Sequence, residues 1–128
     1  MNLKALFIIS AIYMTLLGLG FIFLPGLIGI GAVPVDASPA LTAYLRVFGS
    51  TFVAIGVLNW VARAAEASQA RNAIVVANMV GFGLAALLDV WGAFNGARPL
   101  AWLFAVIHFL FTLAFAWARR VSMAKQKG

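Results

Sequence analysis

Four long apolar runs separated by short polar stretches organise the chain: about Ala5 to Leu24, Thr42 to Ala62, Ala73 to Phe94 and Leu100 to Ala118. Each is close to the ~20 residues that a helix needs to cross about 30 Å of hydrocarbon. The pattern predicts an all-α fold, a transmembrane four-helix up-down-up-down bundle that takes up residues 1–128 as one integral membrane domain. The first run follows Lys4, as the core of a secretory signal would, but it exceeds the roughly 7–15 apolar residues of such a signal. An uncleaved first span is expected.

The connections carry the breakers. "PGLIGIGAVPVDASPA" (25–40) holds Pro25, Pro34 and Pro39, and its apolar, glycine-rich first half is expected at the membrane interface. In "RAAEASQAR" (63–71) Ser68 is a candidate cap for the third helix, and Asn72 is an equal one. "NGARP" (95–99) reads as a tight turn that delivers Pro99 to the first turn of the fourth helix, where its missing N–H donor is harmless. Short loops make sequential helices antiparallel.

Composition changes the picture in one direction. Of 128 residues, 65% are hydrophobic and 9% charged, against roughly 45–50% and about 25% in soluble domains. A chain this short cannot hide such an excess from water. Lipid is the solvent that fits. The absence of cysteine excludes disulfide scaffolds, thiolate metal sites and cysteine nucleophiles. The net charge of +6 lies at the edges of the apolar runs and on no polar face, so no nucleic-acid partner is implied. Lys4, Arg63, Arg71, Arg119, Arg120, Lys125 and Lys127 fall on one side, against Arg98 and Arg46 on the other. By the positive-inside rule both termini are cytoplasmic. Trp60 and Trp117 toward the inner ends, with Trp91, Trp102 and Tyr44 toward the outer ones, suit interfacial belts, or equally the filling of a bundle. The basic tail from Ala118 on is expected to rest on anionic headgroups.

Few groups inside the runs carry chemistry. Arg46 and Asp89 lie at matching depth near the outer ends of the second and third spans. Asn78, Gly81, Ala85 and Asp89 fall within roughly 80° on a helical projection. Thr42, Arg46, Gly49, Ser50, Val53 and Gly56 form a comparable stripe on the second span. Small residues admit close approach in membranes and polar ones seek partners there, so the two stripes are expected to face each other and to pair Arg46 with Asp89. The alternatives are an inert staple, an Arg46 that snorkels to the surface on its stem, and a ligand or proton site open to the outer face. His108 lies mid-span on a stripe with Ala101, Ala105 and Thr112, within reach of Tyr13 on the first span, and these two complete the candidate ligand-binding set. Asn59, Asn78 and Ser50 read as structural polar contacts between helices. A lone histidine without carboxylate or thiolate neighbours makes no protein metal site, and no cofactor is implied. "GFGLAA" (81–86) fits a dinucleotide pattern but lies inside an apolar helix with no strand before it, so its mechanism is absent. Leu41, Tyr44 and Arg46 fit only a loose sterol-contact pattern.

The chain resembles the small bacterial four-span membrane proteins of uncharacterised function, DoxX-like in organisation. The likeness is carried by "LLGLGFIFLPG" (16–26), "LRVFGSTFVAIGVLNWVAR" (45–63), with Arg46 and Gly49 as its telling positions, and "LLDVWGAFNGARP" (87–99). It implies the four-helix fold and a bacterial inner-membrane location, and brings no established activity, substrate or cofactor. DoxX-type proteins are also linked to membrane redox or quinone systems, and a chain without cysteine departs from any thiol-based version of that role. Long rows of Phe and Leu, with Phe104, Phe109, Phe111 and Phe115 read as lipid-facing, offer surface for partner helices. The function expected is non-enzymatic: an accessory or scaffold subunit of a membrane complex, or a homo-oligomer, with membrane lipids, other membrane subunits or itself as partners. The alternative is a small-molecule or lipid-binding bundle, or small transporter, built on an outward-facing Arg46/Asp89 site.

Overall fold

The computed structural model describes residues 2–125, so Lys127 and the end of the basic tail lie outside the described residues. Five helices follow one another: α1 (Leu3–Phe23), α2 (Pro25–Ile28), α3 (Pro39–Ala62), α4 (Gln69–Phe94) and α5 (Ala101–Lys125), with no strand among the described residues. α2 is a single turn. The other four are long and apolar enough to cross a membrane. The all-α, four-span arrangement expected from the apolar runs is therefore the one adopted, and the chain is a multi-pass membrane protein.

α1, α3 and α4 each start before the apolar run that predicts them, because the start is set by a cap and not by hydropathy. The Asn2 side chain accepts the Ala5 N–H at 2.8 Å, and Ser38, ahead of Pro39, accepts the Leu41 N–H at 3.2 Å. Ser68, in extended conformation, accepts the Arg71 N–H at 3.1 Å. Of the two candidate caps for α4, Ser68 does the work, and Asn72 lies one turn inside the helix. At the other end α5 continues past Ala118 because no glycine or proline interrupts it. Pro99 differs from expectation: it occupies the turn before α5, which opens at Ala101 on a bond from the Ala101 N–H to the Arg98 carbonyl at 3.2 Å.

The sequence predicts one domain; by packing, the described residues divide into two compact units, Ile8–Val61 and residues 2–7 together with 62–125. In the first, α1 and α3 run antiparallel at glycine contact distance. A Cβ on Gly18 would stand 2.6 Å from the Gly49 carbonyl oxygen, and one on Gly49 would stand 2.6 Å from that of Gly18. A Cβ on Gly56 would collide with Thr15. This corrects the expectation that the α3 stripe faces the third span: its glycines lie against α1, where Gly18, Thr15 and Ala11 offer small partners at the right heights. Phe21, Phe48 and Phe52 close the end of this pair at the C-terminus of α1, with ring centroids 4.6–6.0 Å apart.

In the second unit α4 and α5 form an antiparallel hairpin. Phe82 stacks on Phe111 at 4.5 Å, lies 6.1 Å from Phe115, and Phe115 in turn meets Phe7 edge-on at 5.8 Å. Phe115 is fully buried, whereas Phe109 is exposed. The row expected to face lipid is therefore split. Phe104, Phe111 and Phe115 share the face of His108 at three- and four-residue spacing, and Phe109 falls about 100° away. Trp60, Trp91, Trp102, Trp117 and Tyr44 are all exposed, as interfacial anchors are and bundle filler is not.

Candidate functional site

The α4–α5 connection makes the site. α4 ends in a reversal in which the Gly96 N–H bonds the Ala93 carbonyl at 3.3 Å and the Ala97 N–H bonds the Gly92 carbonyl at 2.8 Å. This is the Schellman pairing, and it places Gly96 at φ +64, in the left-handed region that disfavours any residue with a Cβ. The chain thus doubles back within two residues. Arg98, next in line, returns over the last turns of α4.

There it meets Asp89, five residues before the end of the helix and so ~7.5 Å inside it. Arg98 Nη2 donates to Asp89 Oδ1 at 2.5 Å, and His108 Nδ1 lies 2.7 Å from Asp89 Oδ2. As the carboxylate, Asp89 accepts only, so His108 donates from Nδ1. The Arg98 guanidinium lies 4.3 Å over the Phe104 ring, which takes one face of the cation away from solvent. Phe82 and Phe104 flank the imidazole at 5.8 and 6.1 Å. Side-chain exposure is 12% for Asp89, 11% for His108 and 21% for Arg98, so the three groups have one another and little water. Thr112, one turn on from His108, donates to the His108 carbonyl at 2.9 Å.

Of the candidate residues, the structure brings Asp89 and His108 together, and the carboxylate's partners are Arg98 and His108 in place of Arg46. His108 thus has the carboxylate neighbour that the sequence reading denies it. Arg46 is exposed on α3, in keeping with a stem that snorkels. Tyr13 is half-buried on α1. Ser50, expected as an interhelical contact, is exposed and donates to the Val47 carbonyl of its own helix at 2.6 Å. Asn78 is buried and donates to the Ile74 carbonyl at 2.9 Å; Asn59 is fully buried. No buried side-chain nitrogen or oxygen among the described residues lacks a partner.

Two members of the site, Arg98 and Phe104, are absent from the sequence-based set. Arg98 reads there only as a loop charge that helps fix orientation. The signal for its role is Gly96: a glycine just past a helix end turns the chain back, and a residue two positions later returns to the preceding helix.

The arrangement can do two things. It can fasten the turn end of the α4–α5 hairpin by cancelling one charge with another under an aromatic cover. It can also hold a proton, since an imidazole and a carboxylate share a contact inside a span. Compared with protein families, curated proteins and solved structures, the chain finds no match.

Proposed function

We propose that this chain is a non-enzymatic multi-pass protein of a bacterial inner membrane, with both termini cytoplasmic, that serves as an accessory or scaffold subunit of a membrane complex or of a homo-oligomer. The observation that carries the reading is the closure of the Asp89 cluster. Both carboxylate oxygens are engaged by Arg98 and His108, and Phe104 covers the cation, so the most polar group inside the spans is used to hold a hairpin together. What such a chain presents outward is apolar: Leu87, Leu88, Trp91, Leu103, Val106 and Leu110 are all exposed. That surface suits lipid and partner helices, and the DoxX-like organisation of the sequence agrees with a small helical subunit. Extraction from native membrane into mild detergent, followed by sizing and identification of what comes with the chain, tests this. An assembly well above the 13.6 kDa of the single chain is expected. Recovery as a lone monomer from several mild detergents rejects it.

The contact between His108 and Asp89 favours a second reading, in which the cluster handles a proton or a small ligand for transport. This version moves the polar site from Arg46/Asp89 to Asp89/Arg98/His108. Its test is uptake or proton flux in reconstituted vesicles: Asp89→Asn abolishes flux if the site is a carrier, and no flux by the wild-type chain rejects the reading.

A further inference from the structure

At the opposite end of the same hairpin, the start of α4 and the last turns of α5 enclose a cavity of about 490 Å³. Two arginines line it, Arg71 from α4 and Arg119 from α5, with Ser68 and Asn72 beside them. Both guanidiniums are fixed by neutral acceptors. Arg71 Nη1 donates to the Ala65 carbonyl at 3.0 Å, and Arg119 Nε donates to Asn72 Oδ1 at 3.3 Å. Neither lining arginine is in an ion pair: among the described residues their side-chain partners are the Ala65 carbonyl and the Asn72 amide oxygen. The sequence neighbour Glu66 is not part of the lining. Each guanidinium carries five N–H donors and gives one of them to the protein. The cavity therefore holds two oriented, uncompensated cations with donors to spare.

Its place in the membrane narrows the ligand. The apolar run of α4 begins at Ala73 and that of α5 ends at Ala118, so Arg71 and Arg119 stand at the hydrocarbon boundary, while Leu3 and Val75 give the cavity apolar walls. A group with negative charge at one end and hydrocarbon at the other matches both surfaces. We propose that this cavity binds the phosphate of an anionic phospholipid headgroup, gripped by Arg71 and Arg119 together. Guanidinium forks match phosphate oxygens in geometry as well as charge. The site stands whatever protein the chain assembles with.

The test uses the purified full chain in a neutral detergent. Phosphatidylglycerol should raise its melting temperature and phosphatidylcholine should not. Arg71→Gln and Arg119→Gln should each weaken the phosphatidylglycerol response about tenfold, whereas Arg120→Gln, which removes the same charge next door, should leave it unchanged. A response equal in all three variants, or absent in the wild type, overturns the site. Inorganic phosphate in place of lipid separates the two sources of the same chemistry: an equal shift overturns the lipid and assigns the cavity to free phosphate. Photoactivatable phosphatidylglycerol on the wild-type chain needs no variant to fold. Crosslinks within residues 65–75 and 115–122 are expected, and crosslinks only elsewhere reject the proposal.

Discussion

Replacing Asp89 by leucine leaves a guanidinium and an imidazole facing hydrocarbon with no acceptor between them. Removing one partner of a buried pair is the expensive change, on the order of 3 kcal/mol, because the survivor keeps its desolvation without compensation. Asp89→Leu and Arg98→Leu should therefore each lower thermal stability in detergent, and the double substitution should fall short of their sum by about 1–3 kcal/mol. Strict additivity in this cycle would show that the two groups do not act on each other. Pairing Asp89→Leu with Arg46→Leu should give additivity, since Asp89 already has its partners. The residues of the cluster were not equally legible. Asp89 and His108 stand out because each is ionisable inside an apolar run. Arg98 lies outside every run, so hydropathy assigns it to solvent, and only the geometry of the turn brings it back. Arg46 matches Asp89 in depth and shares a stripe with Gly49 and Gly56, and neither depth nor a stripe says which neighbouring helix the side chain meets.

At the scale of the helices, two glycines can be told apart by what a methyl group would meet. Gly49 approaches the Gly18 carbonyl so closely that Gly49→Ala must push α1 and α3 apart, a loss of roughly 1–3 kcal/mol. Gly81, on the small-residue stripe of α4, has nothing within 4 Å of the added carbon, and Gly81→Ala should be neutral or slightly stabilising. Thermal melts of both variants in one detergent decide the matter; equal losses would mean that the close crossing does not support the α1–α3 pair. Gly96→Val forces a β-branched residue into left-handed backbone, at about 1–2 kcal/mol, and should also unseat Arg98. The sequence marks Gly96 as a turn glycine and leaves Gly49 and Gly81, each on a small-residue stripe, undistinguished. The helical projection that gathered Gly49 and Gly56 into a stripe was right about the stripe and wrong about its partner, because a stripe fixes a helix's own face and leaves open which neighbour has room for it. On α5 the three- and four-residue spacing of Ala101, Ala105, His108, Phe111, Phe115 and Ala118 is readable in the sequence and puts Phe115 inside; bulk alone is no sign of lipid contact.

For the molecule as a whole, four spans follow from run length alone, which is why this level was the most legible: roughly 20 apolar residues in a row have few other uses. Capping then explains why α1, α3 and α4 start ahead of their apolar stretches. Orientation rests on the basic excess and can be measured directly, since the chain has no native cysteine to interfere. Val35→Cys and Ala67→Cys, both at exposed positions, should react from opposite faces of intact cells, with Val35→Cys open to a membrane-impermeant maleimide and Ala67→Cys shielded until the membrane is breached. The reverse pattern would place the termini outside.

The left-handed turn at Gly96 has a consequence for how the chain reaches the membrane. It brings together a carboxylate and a guanidinium only nine positions apart in the chain, so neutralisation depends on a local encounter within one helical pair. An aspartate entering a bilayer alone meets a penalty of about 2.5–3.5 kcal/mol at mid-depth. Here the last two helices can leave the translocation machinery as a preassembled, electrically silent unit. A nascent chain that stops short of Arg98 leaves Asp89 without its guanidinium, and should hold α4 back from lipid until the arginine emerges.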